Sequence, residues 1–420
     1  MGHLEALPDD HLSAILARLP RASACASTVV SRRFAAIVCH SGHGGFWHAR
    51  DLAGALEARF VSVGGTRSVI SDAVHFLEPG MAGWRRAAVL PGGPRAEHTA
   101  VAYQGSLWVI GGVHPVDWLD IDNALRSVEV YNIAAGAWRD APPPLQRARL
   151  AHAAGVVDGR LVVCGGGGDA GGDAGFTFPL LDSCEVLDLR PSATDGGWAF
   201  GAPMPIGVWH AACAAVAERR LLVAGGDTGP GRNGSCVVQV YEDEAWRVLE
   251  RLALPQPRYG AGAALMSEQT VVVFGGLGSW YSTAMSDELL DMPAEEEQEE
   301  FERAADGRML VSVLELQEGG RRAQWRWEGN DQRAVDAPVA PVEFTGMRVS
   351  YTAAVGDGRG RAIIACQGHQ SWWELDESWP TRSVRALDAG PPGDPQEPSH
   401  HLDDADILDG TRHVLACVWL

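Results

Sequence analysis

One kind of apolar run recurs six times along the chain, and five of the copies close on a Gly-Gly pair. They read FVSVGG (60–65), LWVIGG (107–112), LVVCGG (161–166), LLVAGG (221–226), VVVFGG (271–276) and the degraded AIIACQG (362–368). A unit repeated about every fifty residues cannot bury its own hydrophobic face, so its copies must stack along a line or around a ring. The chain is therefore expected to be a repeat fold.

Each unit spells four strands. In the second unit, His98 to Tyr103 is a short apolar stretch, Gln104-Gly105-Ser106 is turn chemistry, and LWVI is too short for a helix and too continuous for a half-exposed strand. It reads as a buried strand. The Gly pair supplies backbone freedom where a Cβ would obstruct close approach or a positive φ. After a loop, SVEVYNI (127–133) alternates as a strand with one wet face does, and Trp138 follows a Gly. The third unit repeats this with AHAAGVV, Asp158-Gly159, SCEVLDL and Trp198, and the fourth with HAACAAV, VVQVYED and Trp246. The fifth carries YGAGAAL, VSVLELQ and Trp325 or Trp327, and the sixth YTAAVGD, Trp372 to Leu375 and SVRALD (383–388).

Four-strand units with a double Gly and a later Trp resemble the kelch motif over roughly residues 55–420. The resemblance implies a mainly β fold, a kelch-type β-propeller. Closing a propeller needs a strand from one terminus to complete a blade begun at the other, because an open ring leaves sheet edges exposed. Residues 404–420, with the Asp409-Gly410 turn and HVLACVWL (413–420), read as two inner strands that close the ring, and FVSVGG competes for the inner slot of a composite first blade. Six blades are expected; seven is the alternative.

The first forty residues are of another kind. Leu12, Ile15, Leu16 and Leu19 fall at helical spacing after Pro8, Asp9 and Asp10, and Pro20 ends the stripe. A second stripe follows at Val30, Phe34, Ile37 and Val38. Leu7-Pro8-Asp9-Asp10, Leu12, Ile15, Leu16, Leu19-Pro20 and Val30 to Phe34 resemble an F-box, the helical module that docks onto the adaptor of SCF-type cullin-RING ubiquitin ligases. Ala24 and Cys25 stand where that family usually has bulky Leu, and Phe34 where it usually has Trp. The resemblance implies an F-box module over 4–50 ahead of the propeller at 55–420. It also implies adaptor contacts at Leu7, Pro8, Leu12, Ile15, Leu16, Leu19, Pro20, Val30 and Phe34.

Charge and cysteine usage narrow the function classes. A formal charge of −20 with no Arg-rich stripe argues against nucleic acid. Ten acidic residues lie between Asp287 and Asp306, an expected solvated insertion in the fifth unit or a docking tail for a basic partner. The eight Cys are scattered without a Cys-x-x-Cys pair, which suits reduced thiols in the cytoplasm or nucleus. No run reaches membrane-spanning length, and no signal peptide is read at the start. All 34 basic side chains are Arg, and the chain has no Lys. A GC-rich genome accounts for that bias; a receptor protected from its own ligase is the functional alternative.

Arg95, Arg149 and Trp209 each stand sixteen residues before the first Gly of their pair, with Arg258 seventeen before and Arg348 in the matching part of the sixth unit. His98, His152, His210, Tyr259 and Tyr351 follow close behind. This ring is the expected substrate-binding rim, since Arg, Tyr and Trp dominate protein-binding hot spots. The bland reading is that the same side chains tie blades together. Catalytic signals are weak: GGGGDAGGDAG (165–175) lacks a Gly-Lys-Ser/Thr, Cys39, His40, His43 and His48 lack paired ligand spacing, and no nucleophile elbow occurs. No cofactor or metal is expected. The sequence points to a non-catalytic receptor whose partners are the adaptor, through it the cullin, and a protein target. A kelch-type metalloenzyme and an F-box scaffold are the alternatives.

Overall fold

A computed structural model describes residues 8, 11–12, 15–16, 34, 58–64, 71–77, 84–114, 124–168, 179–190, 196–217, 219–229, 234–267, 270–276, 311–316, 323–327, 352–356, 362–366, 371–375, 384–387 and 414–419. These residues form six four-stranded antiparallel sheets, each running outward from an innermost strand. The second blade is Thr99–Tyr103, Ser106–Ile110, Val128–Asn132 and Ala137–Trp138, and the third is Ala153–Val157, Arg160–Cys164, Cys184–Asp188 and Ala199–Phe200. The fourth is Ala212–Val216, Arg220–Ala224, Val238–Glu242 and Ala245–Val248. Gly262–Ser267, Thr270–Phe274, Val311–Leu316 and Ala323–Trp327 make the fifth, and Thr352–Gly356, Ala362–Cys366, Ser371–Leu375 and Val384–Leu387 the sixth.

The first blade is composite. Val414–Trp419 is its innermost strand and pairs with Ala58–Val63, followed outward by Ala73–Leu77 and Trp84–Val89. The register runs from Ala58 opposite Trp419 to Val63 opposite Val414. FVSVGG therefore holds the second position, and the C-terminal strand takes the inner slot for which the two competed. Innermost strands touch in blade order and the sixth meets the C-terminal strand, so the chain forms a closed six-bladed wheel, a kelch-type β-propeller. The expected strand at 404–408 lies outside the described residues.

Burial explains the continuous apolar runs. In the third blade Leu161, Val162, Val163 and Cys164 are all fully buried, because a second strand is covered on both sheet faces by neighbouring blades. Each such side chain contributes about 1.5–3 kcal/mol on leaving water. The later Trp packs on the third strand: Trp138 meets Tyr131 edge-on at 5.1 Å, and Trp246 meets Tyr241 at 5.3 Å. The Gly pair is needed for two reasons. Gly111 and Gly112 have φ of +57° and +96°, and a Cβ there would stand 2.6 Å from Arg149 O and 2.5 Å from Ala96 O. Described cysteines Cys164, Cys184, Cys213 and Cys236 are free thiols.

Candidate partner-binding face

Because strands alternate in direction, the connections between second and third strands leave from the same face as those leading into each next innermost strand. The tight hairpins, such as Asp158-Gly159, lie on the opposite face. Phe274 and Val311, the two ends of the longest connection between described strands, stand at the first face. Rigid strands anchor the bases of these connections, the usual arrangement for a recognition surface.

The Arg residues expected to line this face are instead buried beneath it. Arg95, Arg149 and Arg258 are each 0% exposed. Arg149 Nη1 donates to Gly165 O at 3.0 Å and Ser183 O at 2.9 Å, while Nη2 donates to Ser183 Oγ and Glu185 Oε1, both at 3.0 Å. Arg95 repeats the pattern with Gly111 O at 3.3 Å, Ser127 Oγ at 3.2 Å and an ion pair to Glu129. Arg258 Nη1 donates to Gly275 O at 3.4 Å, and burial pulls its pKa down to about 10. Each guanidinium fork thus satisfies the carbonyl that the positive-φ Gly turns inward. They are pegs between strands, and the reading of these three as partner contacts is corrected accordingly.

The carboxylates hold backbone as well. Glu129 Oε1 accepts Gly92 N at 2.9 Å, and Glu185 Oε1 accepts Arg147 N at 3.1 Å. Both occupy one position of the third strand, opposite Val109 and Val163. In the fourth blade that position is Gln239, opposite Val223, and its amide accepts Ile206 N at 3.0 Å and donates to Ile206 O at 2.8 Å.

The histidines are equally enclosed. His98 and His152 are 4% exposed, and their rings press on Gly64 and Gly111 of the preceding blades. Burial, with the adjacent Arg95 and Arg149 charges second, lowers both pKa values to about 3, so the rings are neutral. Tyr259 is buried too. Arg348 and Tyr351 lie outside the described residues.

Trp209 is one place away from the slot its sixteen-residue offset predicts. The first hairpin of the fourth blade has three connecting residues, 217–219, where the third blade has two. Val208 therefore fills the Arg slot. Trp209 matches Ala96, since its bridge to Asp227 repeats that of Ala96 to Val113. His210 then falls in a left-handed slot (φ 51°) shared with Glu97 (φ 55°), Ala151 (φ 50°) and Gly260 (φ 67°). Around the central axis Ala151 N donates to Glu97 O, His210 N to Ala151 O and Gly260 N to His210 O, at 2.7–2.9 Å. His210 Nε2 also lies 3.0 Å from Glu97 Oε2, joining the second and fourth blades.

Trp209 remains half-exposed, stacked on His210 at 5.1 Å over an apolar floor of Ala96, Val113, Leu150 and Ala151. Arg147 sits 5.5 Å over the ring of Phe200, which is 53% exposed. Sequence spacing pointed to neither Phe200 nor Arg147. Of the aromatics that follow the Gly pairs and could anchor a partner, Trp118, Trp280 and Tyr281 lie outside the described residues, and Trp372 stands in the third strand of the sixth blade instead of in a loop.

At the front of the chain, Leu12 N donates to Pro8 O at 3.0 Å in the first turn of a helix. Leu12 and Leu16 are 1% and 4% exposed and join a cluster with Val61, Val63, Phe76, Leu107 and Tyr131, against which Phe34 also packs. Pro8, His11 and Ile15 face outward, Ile15 at 40% exposure. The apolar stripe is wide enough to serve two surfaces, and its Leu12/Leu16 edge is covered by the chain itself. As adaptor contacts these two are corrected, since their side chains are spent on the chain's own core. Leu7, Leu19, Pro20 and Val30 lie outside the described residues. Among the described residues, no group of three or more His, Cys, Asp or Glu could hold a metal.

Comparison with known proteins follows the same lines. A family model, the Kelch motif, matches residues 94–145. F-box/kelch-repeat protein SKIP4 of Arabidopsis thaliana is 28% identical over 203 residues, covering 46% of this chain and 54% of that protein. F-box/kelch-repeat protein At1g51550 of Arabidopsis thaliana is 26% identical over 317 residues, 69% of this chain and 64% of that protein. Kelch-like protein 33 of Homo sapiens is 39% identical over 94 residues, 22% of this chain and 16% of that protein. The chain thus spans about half of SKIP4 and less of the human relative. The solved structure of YjhT superposes with a TM-score of 0.50 at 16% identity, over 78% of this chain and 94% of that one, and shows the fold alone. The kelch motif and the likeness to the two plant proteins support an F-box/kelch-repeat protein, and with it a protein-interaction adaptor.

Proposed function

We propose that this chain is the substrate-recognition subunit of an SCF-type ubiquitin ligase in the cytoplasm or nucleus. In this reading the helical segment at 4–50 docks the adaptor, the wheel at 55–420 presents its loop-bearing face to a protein target, and the acidic residues 287–306 form an insertion on that face. The observation that carries it is the join of an outward helical edge, Pro8, His11 and Ile15, to a closed wheel with its long connections on one side. The mechanism is proximity: a target held beside an activated ubiquitin meets it at an effective concentration in the millimolar range or above, with no bond chemistry by this chain.

The test is capture of the adaptor by Ile15→Asp. A small helical interface depends on a few buried apolar anchors, so a charge there should reduce capture at least about tenfold while the thermal unfolding midpoint stays put. Unchanged capture would remove the F-box reading. Adaptor capture without cullin in the complex would leave a scaffold instead of a ligase subunit.

A further inference from the structure

The absence of Lys acquires a chemical meaning from what Arg does at the described positions. Among the described residues, the buried pegs are the ones that need a guanidinium. Arg149 uses Nε, Nη1 and Nη2 together on Glu185, Gly165 and Ser183, a fork that a single ammonium cannot reproduce. At the exposed described positions the demand is weak. Arg86 lies 3.6 Å from Asp72 by one nitrogen, Arg190 forks onto Asp188 through Nε and Nη2 but in solvent, where an ion pair contributes little, and Arg139, Arg219 and Arg251 are exposed. A Lys would serve at these places, so the fold does not impose Arg there.

We infer that this chain, as the receptor proposed above, offers no side-chain acceptor for stable ubiquitin attachment, leaving its α-amine and labile hydroxyl or thiol esters as the only sites within its 420 residues. Isopeptide formation needs a neutral amine. The Lys nitrogen attacks the thioester carbonyl of ubiquitin's C-terminal Gly, a C–N bond forms, the C–S bond breaks, the conjugating enzyme's thiolate leaves and the amine gives up a proton. A guanidinium cannot take this role, because its electron pairs are delocalised and it stays protonated at neutral pH. Arg258, whose pKa burial lowers to about 10, is sealed inside the fifth blade. The consequence is largest for a receptor, since the proximity that presents a target presents the receptor's own surface as well. A codon bias and selection would lead to the same chain, and the chemistry follows from either.

The experiment compares the full chain with a variant carrying Arg86→Lys, Arg190→Lys and Arg219→Lys, all at exposed positions, the last two on the hairpin side opposite the loop-bearing face. Each is α-amine-acetylated and assembled with adaptor, cullin-RING, ubiquitin-activating and conjugating enzymes, ubiquitin and ATP. Cullin capture is scored first, and a chain that fails to recruit cullin overturns both the receptor reading and this inference. With cullin captured equally, the wild-type chain should yield no conjugate that survives mild alkali and hydroxylamine, while the triple variant should be converted to stable conjugates mapping to the new lysines. Stable conjugates on wild-type side chains would overturn the inference. So would a triple variant that assembles and remains unmodified, because the missing Lys would then not be what protects the chain.

Discussion

The third and fourth blades share the four-strand plan but differ in the chemistry at their inner connections. In the third, Arg149, His152 and Glu185 form a charged, titratable socket with every member buried. The matching positions of the fourth are Val208, Ala211 and Gln239, which carry no charge. Gln239 nonetheless repeats the backbone work of Glu185, holding the amide of Ile206 as Glu185 holds that of Arg147. Between these two blades the charges are present or absent together, in keeping with a buried ion pair being roughly neutral against an uncharged replacement of the whole while half of it is expensive. The fifth blade departs from this, keeping a buried Arg258 with Ser312 at the carboxylate's position, and there burial lowers the guanidinium pKa to about 10.

Breaking the set should therefore give the largest effect. Glu185→Ala leaves the Arg149 guanidinium buried against Gly165 and Ser183 without its counter-charge and frees the amides of Gln146 and Arg147. A loss of about 3–5 kcal/mol in urea-induced unfolding is expected. The double change Arg149→Val with Glu185→Gln copies the fourth blade and should recover most of that loss. If the double variant is as unstable as Glu185→Ala, the two sockets are not interchangeable and the comparison fails.

Much of this was legible in the sequence. The Gly pairs, the apolar runs and the Trp positions fix four strands per unit, and Val414–Trp419 could be read as a ring-closing strand because it had the pattern of an inner strand and no outer partners. The direction of the Arg side chains was not legible from spacing, since entry to an inner strand is close to both the surface and the inter-blade space. A signal did exist. Val-Glu-Val at 128–130 and Cys-Glu-Val at 184–186 set a carboxylate between apolar residues in two units that carry a buried Arg, Arg95 and Arg149, and Val-Gln-Val at 238–240 accompanies the unit without a matching Arg; Val-Ser-Val at 311–313, in the unit of Arg258, does not follow the pattern. Trp209 was misplaced by one residue because a hairpin lengthened by one in the fourth blade preserved the sixteen-residue count by accident.

A smaller effect separates the sockets by pH. His152 titrates near 6.5 when unfolded and near 3 when folded, because burial and Arg149 disfavour its charged form. Between those values the unfolded chain binds a proton that the folded chain refuses, so this contribution to stability is full above pH 6.5 and is lost as pH falls toward 3. Lowering pH from 6.5 to 5 should cost about 2 kcal/mol through this one ring. His152→Ala, which copies Ala211, should be less stable at pH 7 through loss of packing on Gly111, yet should flatten the pH dependence by that amount. An unchanged slope would mean that the ring is already protonated in the fold.

The smallest effect concerns Arg147, whose counterpart in the fourth blade is Ile206. Its side chain lies over the exposed ring of Phe200, a cation–π contact in water worth about 0.5 kcal/mol, whereas its backbone amide is bound by Glu185. Arg147→Ile keeps the amide and removes only the surface contact. The thermal midpoint should then move by no more than about 1–2 °C in a domain of this size. Because the half-buried Arg147 covers the exposed Phe200 on the loop-bearing side of the third blade, the same variant is the mildest probe of whether this side meets a partner. Loss of target capture with an unmoved midpoint would mark Arg147 as a contact. A fall in stability approaching that of Glu185→Ala would instead show that the side chain, rather than the amide, keeps the charged socket closed.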